Sequence, residues 1–117
     1  DPFEQYNFGV TLDTAHMFGA GYDLRDAKSA KKTLVEIDKF FGVENIACVH
    51  FNDSKKALGS HVDRHEDVGH GQIGEAGLKS FVQELRNFGG ERIPLILETP
   101  EGFDTYEEQI KKVKSWL

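Results

Sequence analysis

The sequence predicts an α/β fold built from three strand–helix units within 117 residues. Three short apolar segments are predicted to be strands, and a segment with helical periodicity follows each of them. No repeat, low-complexity tract or Pro/Gly/Ser-rich linker marks a domain boundary. Alternating strands and helices are typical of a parallel sheet with right-handed crossovers and both faces buried. We therefore expect residues 1–117 to form one unit with a single core.

The three predicted strands are short and mostly apolar, with β-branched and aromatic side chains among their residues. They span residues 8–13, 46–51 and 93–98. A sheet of three parallel strands has two open edges, whereas a closed barrel of eight strand–helix units has none. This comparison favours part of a (β/α)8 barrel over a complete small α/β domain.

Three amphipathic helices are predicted, one after each strand. The first has Asp26 ahead of it and Gly42 just beyond it as a stop signal. The second ends before the glycine pair 89–90, and the capping-box spacing from Thr105 to Glu108 is predicted to open the third. The predicted apolar faces are Ala30, Leu34, Ile37 and Phe41 in the first helix, Leu78, Phe81, Val82, Leu85 and Phe88 in the second, and Tyr106, Ile110, Val113 and Leu117 in the third.

The composition argues against several classes of function. The chain has fourteen Lys and Arg and twenty Asp and Glu residues. The resulting net charge of −6 argues against nucleic-acid binding over the whole surface. The single cysteine, Cys48, excludes an internal disulfide and a multi-cysteine zinc site. No apolar run approaches the roughly 18 residues of a membrane span, and the first residues lack signal-peptide character. We expect a cytoplasmic protein with no membrane partner.

Six side chains that can ligate a metal are expected at one rim of the sheet. In a (β/α)8 barrel the chemistry lies at the carboxyl ends of the strands, where four of the six residues are found. The other two, spaced as D-x-H, point to one side of an extended stretch in the loop 52–77. The six residues are Asp13, His16, His50, Asp63, His65 and Glu98.

Each of these residues also has an ordinary structural interpretation. Asp13 or Glu98 alone is as readily a cap for loop amides, and His50 alone is more often a hydrogen-bonded core histidine than a ligand. Three successive strands that end in Asp, His and Glu, with two further Asp/His pairs, favour a metal site. Imidazole and carboxylate ligands without thiolate suit Zn, Mn or Fe, and several carboxylates allow bridging between ions. His61 and His70 are expected to be exposed loop histidines outside the site.

The loop that contains the D-x-H pair is locally basic. Within residues 54–65, Lys55, Lys56 and Arg64 outnumber Asp63 and leave a local charge of +2. Such a run is usually a solvated loop, but beside a metal cluster it can contact phosphates. The glycine-rich segment 69–74 matches neither a dinucleotide-binding nor a P-loop spacing and is predicted to be a turn.

Six motifs follow one another in a fixed order, and four of them contain the potential ligands. They are LDTAH (12–16), AGYD (20–23), HFNDSK (50–55), GSHVDRH (59–65), GHGQIG (69–74) and PLILET (94–99). Together they closely resemble the endonuclease IV family of apurinic/apyrimidinic (AP) DNA-repair endonucleases. The resemblance implies the carboxy-terminal part of a (β/α)8 TIM barrel, with about three βα units in this chain. It further implies a trinuclear zinc enzyme that cleaves double-stranded DNA on the 5′ side of an abasic site and leaves a 3′-hydroxyl.

The resemblance also implies how the ligands are shared among zinc ions. His16, Asp63 and His65 match the complete protein ligand set of one zinc. The three strand-end residues match part of the set of a second zinc, and the family's ligands of the third zinc match nothing in this chain. The strand-end residues are Asp13, His50 and Glu98. The implied hydrolysis is metal-centred and uses no separate side-chain nucleophile.

For the basic loop, the resemblance implies a position along the DNA, with Lys55, Lys56 and Arg64 as DNA-binding residues. The amino-terminal half of the family's barrel, with its remaining ligands and most lesion-contacting residues, has no match in this chain. From the chain alone we therefore expect partial zinc binding and very low nuclease activity.

Two alternatives remain open. A metal-dependent sugar isomerase or epimerase of the xylose-isomerase-like barrel group would also use Asp13, His50 and Glu98. Such an enzyme does not need the segment 63–65, and this segment favours the nuclease. The other alternative is a catalytically inactive module that associates with a complementary chain or with itself through its open sheet edges.

Overall fold

Five strands and four helices make up the computed structural model, which describes residues 8–100 and 102–117. The strands are β1 (Val10–Asp13), β2 (Ile46–His50), β3 (Asp53–Ser54), β4 (His65–Glu66) and β5 (Leu95–Ile96). The helices are α1 (Thr14–Gly19), α2 (Ala27–Phe41), α3 (Gly74–Asn87) and α4 (Phe103–Lys114), and a 3-10 turn, Val43–Asn45, precedes β2. The predicted order of three strand–helix units is confirmed within these ranges. Of the predicted single unit 1–117, residues 1–7 and 101 lie outside the described residues.

The parallel sheet has the strand order β1–β2–β5. Its register places Asp13 opposite His50, and His50 opposite Ile96. The third strand is shorter than the predicted 93–98. Its backbone ladder stops at Ile96, whose carbonyl accepts a hydrogen bond from the N–H of Phe51 (2.7 Å). The next N–H that faces β2, that of Glu98, donates to the side chain of Asn52 instead.

Helices cover only one face of this sheet. Leu12 and Val49, which are paired in the register, point into the core and are buried. On the other face Thr11 is exposed, Cys48 is half-exposed and Ile96 is exposed. The prediction that both faces are buried is therefore wrong for the described residues. The interior of a closed barrel is filled by side chains from alternate strands around the ring, and three strands supply only part of that packing.

Helix α2 has the boundaries that its local signals predict. The Asp26 carboxylate accepts a hydrogen bond from the N–H of Ser29 (2.8 Å), which satisfies one free donor of the first turn. Gly42, with φ 79°, ends the helix. Ala30, Leu34 and Ile37 are buried as predicted.

Helix α3 contacts the segment that precedes α2 through a glycine. It begins at Gly74 and buries Leu78 and Phe81 against the core. A Cβ atom placed on Gly77 would lie 2.5 Å from the carbonyl oxygen of Leu24, so the two backbones are in close contact there. The second predicted helix is confirmed, and it extends further towards its N-terminus than its apolar face indicates.

Helix α4 begins earlier than predicted. Its N-cap is Gly102, with φ 64°, and Phe103 is its first residue, so Thr105 does not open the helix. The hydroxyl of Thr105 instead accepts a hydrogen bond from the side chain of Gln109 (3.0 Å). The capping-box prediction was wrong because the chain enters the helix at Gly102, whose positive φ suits glycine, and this N-cap has no side-chain hydrogen bond.

Two short features are absent from the predicted element order. Helix α1 follows β1 directly, and β3 pairs with β4 as an antiparallel hairpin that sets Ser54 opposite His65. Both are placed by contacts distant in sequence rather than by periodicity. No helix in the described ranges is long and apolar enough to cross a membrane.

Candidate metal centre

The three strand-end residues lie side by side at the carboxyl edge of the sheet. The register pairs Asp13 with His50, and Asp13 Oδ2 is 3.9 Å from His50 Nδ1. Glu98 lies two residues beyond β5, and its Oε1 is 2.6 Å from the same His50 Nδ1. The expected grouping of one imidazole between two carboxylates is therefore present.

The other three predicted ligands form a second group beside the first. His16 lies in α1, Asp63 in the loop before β4, and His65 in β4 itself. The Asp63 carboxylate lies between the two imidazoles, with Oδ2 3.4 Å from His16 Nδ1 and Oδ1 3.4 Å from His65 Nε2. The D-x-H spacing thus places both of its side chains on one side of the segment, as predicted.

One contact joins the two groups. His65 Nε2 lies 3.4 Å from Asp13 Oδ2, so all six predicted ligands form an unbroken chain of side-chain contacts. Asp13, His65 and Glu98 each offer a ligand atom within 4.8 Å of the others and could hold a metal ion. This closest triad includes members of both predicted ligand sets, and the division of the six residues between two zinc ions stays a prediction.

The spacing and chemistry of this cluster fit a metal of the zinc type. Two ligand atoms bound about 2.0 Å from a tetrahedral zinc lie about 3.3 Å apart. Three of the contacts, from His65 to Asp13 and to Asp63 and from His16 to Asp63, measure 3.4 Å. The donors are imidazole nitrogens and carboxylate oxygens, which zinc accepts.

Asp13 serves two purposes with its two oxygens. Its Oδ1 accepts a hydrogen bond from the N–H of His16 (2.9 Å) and caps α1. Its Oδ2 faces the imidazoles of His50 and His65. The capping interpretation and the ligand interpretation are therefore compatible, because each uses a different oxygen.

The hydrogen bond of His65 fixes which ring nitrogen is free. Nδ1 lies 3.0 Å from the backbone carbonyl oxygen of Glu98. Because a carbonyl only accepts hydrogen bonds, we place the proton on Nδ1, which leaves the Nε2 lone pair facing Asp13 and Asp63. A histidine whose other ring nitrogen is bound in this way is typical of metal ligands.

A buried carboxylate that the sequence analysis left without a role anchors the loop. Asp53 is fully buried, and its two oxygens accept hydrogen bonds from the N–H groups of Ser54, Gly69, Gly71, Ile73 and Gly74, at 2.8–3.3 Å. The glycine-rich segment therefore wraps around this carboxylate. A usable signal was an acid just after a strand together with a glycine-rich stretch lacking a phosphate-binding spacing.

Two further residues missed as part of the site are Thr14 and Asn52, both fully buried. The Thr14 hydroxyl donates to the carbonyl of Asn52 (2.6 Å) and accepts from its N–H (2.8 Å). The Asn52 side-chain oxygen accepts a hydrogen bond from the N–H of Glu98 (2.8 Å). These bonds connect the segments that directly follow β1, β2 and β5.

The basic residues of the hairpin are exposed. The N–H of Lys55 donates to the carbonyl of Arg64 (3.0 Å), which places these two cations opposite each other, just after β3 and just before β4, and Lys56 follows. Within residues 8–100 and 102–117, none of the three forms a salt bridge. His61 and His70 are exposed and lie outside the contact chain, as predicted.

Comparison with known proteins gives matches over nearly the whole chain. A family model described as xylose isomerase-like TIM barrel matches residues 1–117. "Probable endonuclease 4" of Thermosipho melanesiensis is 47% identical over 105 residues, which are 90% of this chain and 36% of the relative. "Probable endonuclease 4" of Haloarcula marismortui is 46% identical over 106 residues, with 88% and 36% covered.

A solved structure agrees with these matches. The crystal structure of endonuclease IV from Thermus thermophilus superposes with a TM-score of 0.76 at 35% identity, covering 92% of this chain and 38% of that chain. The present chain spans about a third of the length of the curated relatives that it matches. The predicted fold class and the predicted resemblance are both confirmed. The chain belongs to the xylose isomerase-like TIM barrel family, and within that family it is similar to the endonuclease 4 proteins.

Proposed function

We propose that this chain provides metal-binding and DNA-contacting residues of a zinc-dependent DNA-repair AP endonuclease. The reaction is hydrolysis of the phosphodiester bond 5′ to an abasic site, which leaves a 3′-hydroxyl. The observation that supports this proposal most strongly is the unbroken contact chain from His16 through Asp63, His65, Asp13 and His50 to Glu98. The names of the relatives support the reaction class.

The charge of the cluster favours a divalent cation. Asp13, Asp63 and Glu98 bring three carboxylates together, and in the described part of the chain no Lys or Arg pairs with any of them. Like charges this close repel one another unless a cation lies between them. Zinc, when bound, supplies Lewis-acid stabilisation of charge on a phosphodiester. The six side chains would hold the metal, and Asp13 Oδ2, which faces the imidazoles of His50 and His65, would be one of the ligand atoms.

We propose that the hairpin contacts the DNA backbone. Lys55, Lys56 and Arg64 are exposed and free of ion pairs in the described ranges, and they lie on the hairpin that also positions His65. Cations placed in this way can bind phosphates without reading the base sequence. The negative chain then needs only a local positive surface for its substrate, double-stranded DNA with an abasic site.

The ligand sets lead to an expectation for the chain on its own. We propose that His16, Asp63 and His65 form one complete zinc site. The strand-end residues form a partial second site, and up to three ions bind in a complete enzyme. The isolated chain therefore binds about one zinc and has very low nuclease activity.

One experiment tests the metal part of this proposal. Zinc content per chain is measured after dialysis, for the original chain and for Asp63→Asn, with His70→Ala as the matched control because His70 is exposed and outside the cluster. We expect about one zinc in the original chain and in the control, and clearly less in Asp63→Asn. Equal zinc content in all three contradicts the assignment.

A second experiment tests the reaction. Residues of this chain replace the matching 105-residue segment of the Thermosipho melanesiensis relative, and the chimera is assayed on a duplex with one abasic site. We expect cleavage on the 5′ side of the site that a chelator abolishes and that Asp63→Asn removes. A folded, zinc-loaded chimera that leaves this duplex intact contradicts the proposal.

The sugar isomerase or epimerase remains the second candidate, since the family description is xylose isomerase-like. The contact of Asp63 with both His16 and His65 favours the nuclease, because the strand-end residues alone would provide the isomerase ligands.

The inactive association module is tested by the mass of the chain in solution. In the described residues β1 and β5 each pair with β2 alone, so each has an edge available for another strand.

A further inference from the structure

We propose that Asn52 is a positioning residue for the metal centre, which acts through the backbone of Glu98. This inference rests on the proposed function for the identity of the site, and it adds a residue that is not a ligand. Asn52 lies two residues beyond β2 and is completely buried. Its side chain binds the backbone N–H of Glu98 and not the Glu98 carboxylate.

The Asn52 side chain continues the pairing between the β2 and β5 segments beyond the last backbone bond. That last bond runs from the N–H of Phe51 to the carbonyl of Ile96 (2.7 Å). Continued in the same register, the ladder would pair the N–H of Glu98 with the carbonyl of Phe51. The side-chain Oδ1 of Asn52 accepts this N–H instead (2.8 Å), while the carbonyl of Asn52 is bound by the Thr14 hydroxyl (2.6 Å). The side chain thus takes the place of a backbone acceptor.

Asn52 is itself held rigidly. Its N–H and its carbonyl both contact the hydroxyl of Thr14, which is fully buried and is the first residue of α1. Helix α1 also contains His16. Through Asn52 and Thr14, the backbone of Glu98 is therefore connected to α1, the helix that contains His16.

Glu98 in turn contacts two imidazoles, one through its side chain and one through its backbone. Its carboxylate lies 2.6 Å from His50 Nδ1, and its backbone carbonyl lies 3.0 Å from His65 Nδ1. A shift of the Glu98 backbone would displace both contacts. It would also release His65 from the tautomer that leaves Nε2 free to ligate a metal.

The choice of asparagine follows from the charge nearby. Among the described residues the amide oxygen of Asn52 has a partner, whereas its Nδ2 is buried without one. An aspartate would provide the same acceptor without the unpaired donor. It would also add a buried negative charge next to Asp53 and near the carboxylates of the cluster, and the neutral amide avoids this repulsion.

The test uses the full chain, first without metal and then with zinc. Asn52→Leu removes the acceptor at nearly constant volume, and Asn52→Asp keeps it. Thr33→Val is the matched control, because Thr33 is buried and donates to a backbone carbonyl of Asp23 (2.9 Å) away from the cluster. Nitrogen NMR of the histidine rings gives the His65 tautomer, and competition with a chromogenic chelator gives the zinc dissociation constant.

We expect the metal-free original chain, Asn52→Asp and Thr33→Val to keep the His65 proton on Nδ1. In Asn52→Leu we expect a mixture of tautomers and a loss of zinc affinity of about tenfold or more, as is usual when a residue that orients a ligand is removed. If Asn52→Leu does not fold, Asn52→Ser, whose hydroxyl is too short to reach Glu98, takes its place.

Two results overturn the inference: Asn52→Leu that binds zinc as tightly as Thr33→Val, or Asn52→Leu that keeps the His65 tautomer unchanged. The failure of the proposed function has a different signature. In that case the original chain itself binds no zinc, whatever residue stands at position 52.

Discussion

Asp13 and His50 occupy paired positions on neighbouring parallel strands, and the Asp13 Oδ2 and His50 Nδ1 atoms are 3.9 Å apart. Because successive parallel strands end at the same edge of a sheet, residues that close two strands in register become neighbours without a specific contact between them. The other oxygen of Asp13 caps α1. Capping and ligation can therefore be separated by substitution.

Asp13→Asn is expected to keep the helix cap and to weaken metal binding. Asparagine is as good an N-cap as aspartate, so we expect the midpoint of urea denaturation to stay close to that of the original chain. Zinc affinity is expected to fall at least about tenfold, because the amide replaces a charged oxygen that faces His50 and His65. Chelator competition measures the affinity.

Asp26→Asn is the matched control for this experiment. Asp26 caps α2 in the same way, through the N–H of Ser29 three residues on, and is not one of the six residues of the cluster. We expect zinc affinity to stay unchanged. A similar fall in zinc affinity for both variants would remove Asp13 from the ligand set.

Asp53→Asn is expected to destabilise the chain strongly. The carboxylate accepts hydrogen bonds from five N–H groups. In the amide, the NH2 group would face some of these donors and could not accept from them. Loss of charge-assisted hydrogen bonds at a fully buried site corresponds to about 3 kcal/mol of unfolding free energy. Urea denaturation, followed by the fluorescence of the single tryptophan, Trp116, measures it.

Asp67→Asn provides the comparison in the same segment. Asp67 is also buried, but its Oδ1 has no hydrogen-bond partner among the described residues. We expect no loss of stability from this change. Equal effects of the two substitutions would mean that the hydrogen bonds to Asp53 do not hold the loop.

Local signals predicted much of the fold and the residues of the candidate site. The N-cap at Asp26 and the stop at Gly42 fixed helix α2, since both act within one turn of the helix. The six potential ligands could be proposed because their residue types are unusual together and because strand ends share an edge. These inferences need no knowledge of contacts distant in sequence.

The features that the sequence did not predict depend on contacts between residues distant in sequence. The Thr14–Asn52 and Asn52–Glu98 hydrogen bonds join residues 38 and 46 positions apart, and no periodicity encodes them. The hairpin formed by β3 and β4 has two residues in each strand, too few for an alternation pattern. The capping box at Thr105 failed because a spacing rule does not weigh a competing glycine at position 102.

Gly77→Ala is expected to destabilise the chain although alanine is the better helix former. The new Cβ would lie 2.5 Å from the carbonyl oxygen of Leu24 and 2.8 Å from Cα of Arg25, and both are backbone atoms that cannot rotate away. Overpacking of this kind corresponds to about 2 kcal/mol, against a gain of about 1 kcal/mol in helix propensity. The net loss of about 1 kcal/mol is measured by urea denaturation. Ser80→Ala on the same helix is expected to be neutral or stabilising, and the same result for Gly77→Ala would rule out the close contact.

The cap of α2 is expected to depend on pH in a predictable direction. Hydrogen bonds from Ser29, the backbone N–H first and then the hydroxyl, lower the pKa of the exposed Asp26 carboxyl below its usual value. A carboxyl whose pKa is lower in the folded state stabilises the fold fully above its unfolded pKa, and this contribution is lost as the pH falls through the folded pKa. At pH 7 we therefore expect Asp26→Ala to denature at a lower urea concentration than the original chain. At pH below the folded pKa the two midpoints are expected to converge.

Asp26→Asn separates the charge from the cap in this series. The amide oxygen still accepts from Ser29 but does not titrate, so its difference from Asp26→Ala is expected to be independent of pH. If Asp26→Ala and the original chain instead differ by the same amount at every pH, the carboxylate of Asp26 does not contribute through its charge. The helix would then be held by its apolar face, Ala30, Leu34 and Ile37, and by its glycine stop.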